Sequence, residues 1–437
     1  MPSPRRATRR IARHRYGLET VLVHGKPNSP KWDYSHHVVP PMSASVAYRL
    51  ESEHRGAKGF VDFVSPTASH FKRAPIYLYD RLDEPTRGML EERLAYAHGA
   101  DVAVAFASGM GAISAVFGAV MDSGDEVLAH QTLYGCTVSL FDHWFPKYRM
   151  RGRYADLSRL DRLERLLTPK TRVVHLESPT NPTLECLDIA GIAAILKRAN
   201  RRRRRPVLLS VDNTFATPFA QRPLALGADF AVESLTKDIA GFGTDMGGAV
   251  MTRREFESVL FLYRKDFGAV LSPRAAWPIL VYGLPTLATR LKRQEETALA
   301  VAAYLERHPK VRRVAYPGLP SYPWQALARR QMVDYTGAFA PGHMIYFETA
   351  GRTPAGAGRV AERLVDGIAR KAYTITLAVS LGQVRTLIEH PASMTHAALT
   401  PEEQRKAGLL SGGVRISVGL EDPQDLIADL GRGLASA

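Results

Sequence analysis

From about residue 76 the apolar positions alternate between helical and strand-like spacing. Ile113, Val116, Phe117 and Val120 recur at i, i+3, i+4, i+7 after Ser108-Gly109-Met110, which predicts a helix starting there. The polar helical stretch SRLDRLERLL precedes the apolar run TRVVHLE. A helix carrying Ile192, Ile195 and Leu196 precedes PVLLSVDN, and a short crossover leads to DFAVESL. Short apolar runs separated by helices predict parallel strands covered on both faces. Past residue 275 the texture changes to longer helical stretches such as PTLATRLKRQEETALAVAAYLERH, with strand-like HMIYFET and VRISVGL between them. A last helix is marked by Asp422 as N-cap, Pro423 at its first position, and Leu426, Ile427 and Leu430 on one face.

The expected organisation is an arm over 1–75, irregular and rich in Pro and Ser, then an α/β unit over 76–274 and a smaller α+β unit over 275–437. A chain of 437 residues is long enough for two cores. Its 45% hydrophobic and 23% charged residues suit a globular protein. No apolar run reaches the roughly 18 residues of a membrane span, so no membrane association is expected. Two cysteines, Cys136 and Cys186, are too few for a disulfide framework. The leader MPSPRRATRRIARHRYGLE has arginines but no apolar core of a secretory signal, which makes the cytoplasm the expected location and an organellar transit peptide the alternative.

The net charge of +15 comes largely from that leader and from KRANRRRRRP at 197–206. The second tract falls between a helix and a strand and reads as a solvated turn. No stacking aromatics interleave with its arginines, so no nucleic-acid partner is expected. No metal site is expected either.

Chemistry collects where the predicted strands end, since ligands of open parallel sheets sit outside the carboxyl ends of the strands. PVLLSVDN ends in Asp212, TRVVHLE runs into ESPTNP with Asn181, and DFAVESL runs into Lys237 within the glycine-rich stretch ESLTKDIAGFGTDMGG. The helix beginning at Gly109 and Met110, preceded by Ser108, offers free backbone N–H groups to an anion. Ser234 and Thr236 place hydroxyls beside the lysine. An amine, a carboxylate and a phosphate cradle together point to pyridoxal 5′-phosphate. The desolvated amine joins the cofactor aldehyde, the carboxylate keeps the pyridine nitrogen protonated, and Asn181 donates to the ring's phenolic oxygen.

The same residues lie in blocks that resemble the Cys/Met-metabolism enzymes dependent on pyridoxal phosphate, the trans-sulfuration or cystathionine γ-synthase-like family. The blocks are YDRLDEPT (79–86), ASGMGAI (107–113), LYGCT (133–137), ESPTNPTLECLDI (177–189), VDNTFATPFAQRPLALGADFAVESLTKD (211–238), SLGQVRTLIEHPASMTH (380–396) and VRISVGLED (414–422). The resemblance runs from about Thr20 to the C-terminus. It implies an aspartate-aminotransferase-like, fold-type-I large domain and a homotetramer built as a dimer of dimers. Lys237 would hold the cofactor and move protons, with Asp212 and Asn181 on the ring. Ser108, Gly109, Met110, Ser234 and Thr236 would hold the phosphate. Tyr79 and Arg81 would reach the neighbouring subunit's cofactor, Tyr134 would stack on the ring and act as acid at the leaving group, and Arg415 with Ser380 would clamp the substrate carboxylate.

The implied activity is γ-elimination from a sulfur amino acid, closest in motif to methionine γ-lyases. The alternatives are cystathionine γ-lyase, cystathionine γ-synthase and O-acylhomoserine sulfhydrylase. Cys136 in LYGCT resembles the methionine γ-lyases, although a cysteine there also suits a small buried position. Val379 stands where many cystathionine-handling members carry Glu. Two departures are visible: Glu84 in place of the usual Asn of the NPT motif, and a longer segment over 52–76.

Overall fold

The structure, a computed structural model, describes residues 16–25, 37–64, 76–394, 404 and 408–437. The basic leader before Tyr16, positions 65–75 of the lengthened segment and the last two residues of the 380–396 block lie outside the described residues. Helices α1 (Leu18–His24), α2 (Glu53–Val64) and α3 (Pro85–His98) lead into β1 (Val102–Phe106), α4 (Gly109–Val120), β2 (Glu126–His130), α5 (Gly135–Ser139) and β3 (Arg151–Ala155). Then follow α6 (Leu160–Leu166), β4 (Thr171–Glu177), α7 (Ile189–Asn200), β5 (Leu208–Asp212), α8 (Thr217–Ala220), β6 (Phe230–Glu233) and β7 (Gly248–Thr252). After α9 (Glu257–Phe267), α10 (Pro273–Pro278) and α11 (Leu284–Glu306) come β8 (Val311–Ala315), α12 (Gln325–Gln331) and β9 (Met344–Thr349). The chain closes with α13 (Pro354–Lys371), β10 (Ile375–Leu377), β11 (Thr386–Glu389), β12 (Gly413–Ser417) and α14 (Pro423–Ser436).

Among the described residues the first sheet has the order β1-β7-β6-β5-β4-β2-β3. From β6 to β3 all pairs are parallel, as helix-separated strands require. Strand β7 is the exception and runs antiparallel between β1 and β6. Its GAVMT sequence follows β6 without a crossover helix, so the chain returns directly. The second sheet, β10-β11-β12-β9-β8, is mixed; among the described residues β10 and β11 pair in parallel and the other pairs are antiparallel.

The arm is less irregular than expected. Leu18, Val21 and Leu22 bury one face of α1, which packs on α3 and α11. In α2, Phe63 is buried and meets Phe261 of α9 edge to face, 6.0 Å apart. These helices were hidden by the composition of their neighbours, because each has only one short apolar stripe. The arginine tract behaves as a helix end and turn, but it is also tied down: Arg203 donates to Thr168 O at 2.7 Å, and Arg205 pairs with Asp122 and Asp125 at 2.9 Å.

Helix α11 links the two layers. Leu284, Leu287, Ala288 and Leu291 belong to the apolar cluster under the first sheet. Ala298, Val301, Ala302 and Leu305 belong to the cluster under the second. A rigid rod shared in this way fixes the edge of one sheet against the other.

Glu84 resolves the first sequence departure. Its carboxylate caps α3, accepting from Thr86 N at 2.8 Å and from Arg87 N, which is the service an Asn or Asp gives at that position. Deeper in α3, Glu91 is fully buried with Arg264 of α9 and also accepts from Ala105 N of β1 at 2.8 Å. This pair anchors the strand that delivers Ser108. Glu91→Ala leaves a buried guanidinium without its carboxylate and is expected to cost about 3–5 kcal/mol in urea unfolding. The double variant Glu91→Leu/Arg264→Met is expected to lose clearly less; an equal loss would show that the charges themselves are not what matters there.

Candidate functional site

Strands β4, β5 and β6 end at one edge of the first sheet, and the loops leaving them meet the 379–384 segment and β12 of the second. The lysine loop follows β6 directly. Lys237 Nζ donates to Ser380 Oγ at 2.7 Å. Burial pulls the Lys237 amine below its ordinary value, Arg415 lowers it further, and Asp238 and Glu389 oppose that shift. Ser380 holds φ at +92°, an unusual conformation for a residue with a side chain. Such strain persists where the surroundings over-determine it: here the Ser380 hydroxyl meets Lys237 and its carbonyl accepts from Arg415 Nη2 at 2.9 Å.

Arg415 extends the chain of contacts. Its Nη1 donates to Asn181 Oδ1 at 2.8 Å, and its Nη2 lies 3.1 Å from Glu389 Oε2, directly across the β11–β12 ladder. Because a guanidinium only donates, Asn181 must accept with its oxygen, which leaves the Nδ2 amide hydrogens to face elsewhere. Asn181 N in turn donates to Glu177 Oε2 at 3.1 Å, and the other Glu177 oxygen accepts from Tyr134 N. Glu177 ends β4 in register with Asp212 at the end of β5.

Two carboxylates on adjacent strands repel each other. Burial and the Asp212 charge push Glu177 up to about 8. Burial pushes Asp212 up to about 6, against the hydrogen bonds from Thr214 and with a further upward push from Glu233. A cation or protonated ring nitrogen set against Asp212 would relieve that repulsion.

The anion side is formed by the start of α4. Gly109 and Met110 are first-turn residues with no carbonyl one turn earlier to receive their N–H groups, and Ser108 Oγ caps the helix through Gly111 N at 3.0 Å. A Cβ on Gly109 would come within 2.9 Å of Ser234 Cβ, so glycine lets the two segments close. Ser234 N is held by Thr214 Oγ1 at 2.9 Å. Thr236 Oγ1 exchanges hydrogen bonds with Gly247 N and O at 3.1 and 3.2 Å. These features fit a phosphate, an aldehyde-reactive amine and a protonated ring nitrogen, the three demands of pyridoxal phosphate.

Tyr134 and Cys136 lie at the start of α5 and are both exposed in this chain, so Cys136 is not the small buried residue its sequence also allowed. Burial of part of its ring and the neighbouring Cys136 push the Tyr134 phenol up, which keeps it protonated. Val379 is exposed beside Ser380. Tyr79 and Arg81 do not join this cluster: Arg81 donates to Lys265 O at 2.8 Å and lies over the exposed Tyr79 ring.

Glu177 and Glu389 were not singled out in the sequence. Their only signal is an acidic residue closing an otherwise apolar strand, in LESP and LIEHP.

The described residues contain no helix long and apolar enough to cross a membrane. A family model described as Cys/Met metabolism PLP-dependent enzyme matches residues 19–435. An L-methionine gamma-lyase of Fusobacterium nucleatum subsp. polymorphum is 39% identical, over 96% of this chain and 98% of that protein. An O-succinylhomoserine sulfhydrylase of Pseudomonas aeruginosa is 40% identical over 83% and 84% of the two chains, and a cystathionine gamma-lyase of Bacillus subtilis is 35% identical over 82% and 88%. The crystal structure of metB from Corynebacterium glutamicum superposes with a TM-score of 0.81 at 30% identity, over 96% of this chain and 98% of that one.

Glu177 and Asp212 bind more protons folded than unfolded between their ordinary range and their raised values, so the cofactor-free protein should lose stability as pH rises from about 5 to about 8. Urea unfolding across that range is expected to show the fall, with a flatter profile in Glu177→Gln. An identical slope in both proteins would remove Glu177 from the account.

Proposed function

This chain belongs to the Cys/Met metabolism PLP-dependent enzymes, and from that premise we propose that it is a carbon–sulfur lyase. Its reaction is the α,γ-elimination of L-methionine or L-homocysteine with water to 2-oxobutanoate, ammonia and a thiol. Bound pyridoxal phosphate supplies the electron sink that makes the α-proton and the γ-substituent labile.

The chain's own residues do the rest. Lys237, with its amine desolvated, carries the cofactor and takes the α-proton of the substrate. Asp212 would pair with the ring nitrogen, the Asn181 Nδ2 would donate to the ring oxygen, and Ser108, Gly109, Met110, Ser234 and Thr236 would hold the phosphate. Arg415, positioned by Ser380 and backed by Glu389, takes the substrate carboxylate as the cationic partner at the site. Tyr134, protonated at neutral pH, donates its proton to the departing sulfur.

Tyr79 and Arg81 point to a site completed by a second subunit, in a homotetramer assembled as a dimer of dimers and working in the cytoplasm. The arm (1–75), cofactor unit (76–274) and C-terminal unit (275–437) would then meet around that site.

The observation that carries the substrate assignment is the exposed, uncharged Val379 next to Ser380, the residue that meets Lys237. An apolar residue there suits a methyl thioether and offers nothing to a distal ammonium. The L-methionine gamma-lyases among the relatives support this reading. The cystathionine gamma-lyase and the sulfhydrylase keep γ-replacement and cystathionine cleavage as the rival.

Thiol release from L-methionine and L-cystathionine, measured side by side on the cofactor-loaded protein, is expected to give the higher kcat/KM with methionine. Val379→Glu is expected to move the ratio toward cystathionine by about tenfold. A wild-type preference for cystathionine, or turnover only of an O-acylhomoserine with an added thiol, would overturn the assignment.

A further inference from the structure

Directly after the lysine stands a buried acid that the proposed chemistry does not use. Asp238 and His343 are fully buried, and His343 Nε2 lies 2.6 Å from Asp238 Oδ1. The other ring nitrogen, Nδ1, lies 3.0 Å from Val418 O. A carbonyl oxygen can only accept, so Nδ1 carries a proton. Nε2 then faces a carboxylate oxygen inside the protein, and a proton is held between the two groups rather than two lone pairs. With that proton on the ring the unit is an imidazolium–carboxylate pair. Burial opposes the charged ring, but the Asp238 charge outweighs it, and His343 sits above its ordinary value.

The pair joins two parts of the molecule that must meet for the site to exist. Asp238 belongs to the lysine loop of the first sheet, and His343 immediately precedes β9 of the second. Around it the same two parts touch repeatedly. Val384 N donates to Gly241 O at 2.8 Å. Gly382, at φ +73°, approaches so closely that a Cβ there would stand 2.4 Å from Asp238 N. Lys237 Nζ reaches Ser380.

The charged neighbours can be named from every side. Arg290, whose Nη2 donates to Ile239 O at 3.4 Å, and Lys237 both feel the Asp238 charge. Glu295, whose Oε1 accepts from Gly342 N at 2.8 Å, feels His343. Arg415 and Glu389 also act on Lys237.

An unpaired carboxylate one residue from Lys237 would favour its ammonium form, which cannot attack an aldehyde or accept a proton. We infer that Asp238 and His343 are a positioning pair: the imidazolium cancels the Asp238 charge behind Lys237 and pins the lysine loop to the second sheet. The inference rests on the reading that Lys237 carries the cofactor and deepens it. His343 is above its unfolded value, so the pair's contribution is fully present below the ordinary histidine pKa of about 6.5 and is lost as pH rises through the raised folded value. Above that value the Asp238 charge stands alone.

The test is a pH titration of the visible absorption of the bound cofactor in the holoenzyme, in wild type, His343→Gln and Asp238→Asn/His343→Gln. The single variant leaves the carboxylate uncompensated and should raise the titration midpoint by about one pH unit or more. The double variant, neutral at both positions, should return it to the wild-type value. General damage to the fold would not be undone by a second substitution, so a double variant shifted as far as the single one overturns the inference, as does a single variant with no shift.

If His343→Gln does not fold, the decision passes to thermal unfolding of wild type and Asp238→Asn between pH 6 and pH 9. The wild type should lose stability that the variant, lacking the ion pair, does not have to lose. Parallel profiles overturn the inference. Failure of the underlying reading looks different: the wild-type protein would then show no cofactor absorption that depends on Lys237.

Discussion

The guanidinium of Arg415 is the contact on which the arrangement of the site depends. It is almost fully buried, paired with Glu389, and reaches Asn181 on the first sheet and the Ser380 carbonyl on the 379–384 segment. A buried charge of this kind is tolerated only where its partners hold it on every side. That requirement ties the edge of one sheet to the other at the site, within the frame that helix packing sets. Helix α11 supplies the stiffness, since its first half packs in one core and its second half in the other.

Around that tie the electrostatics of the site are arranged. Burial and then Arg415 lower the Lys237 amine; burial raises Glu177 and Asp212, with the Asp212 charge pushing Glu177 further up and Glu233 pushing Asp212. The site therefore holds an amine inclined to be neutral and carboxylates that gain by meeting a positive ring. A ligand with a positive ring and an aldehyde would relieve both, and groups pushed away from their ordinary values cluster at functional sites. Glu177 serves both ends through its two oxygens, holding the backbone of Tyr134 and of Asn181.

Much of this was legible in the sequence because it depends on local pattern. The strand end at Asp212, the helix start at Gly109 and the Asp422 cap all follow from periodicity and turn residues, and the structure has each of them; β6 stops earlier than DFAVESL suggests, at Glu233. The parts that were not legible depend on pairing between distant segments. Strand β7 reads as a loop continuation until β1 and β6 are seen on either side of it. The helices of the arm have stripes too short to stand out. Glu177, Glu389 and the Asp238–His343 pair are single acids or rings that meet Tyr134, Arg415 and each other across long stretches of chain. Spacing along the chain carries no trace of them. Glu84 shows the converse case, where an apparent departure in a motif turns out to perform the same capping service.

Reduction of the cofactor-loaded protein with borohydride fixes the cofactor to whichever amine it is joined to, and peptide mass mapping then identifies that residue. A single modified peptide containing Lys237 is the expected result, since this is the amine whose burial, strand-end position and contact with Ser380 prepare it for the aldehyde. Modification at another lysine, or none at all, would contradict the account of the site from its first step.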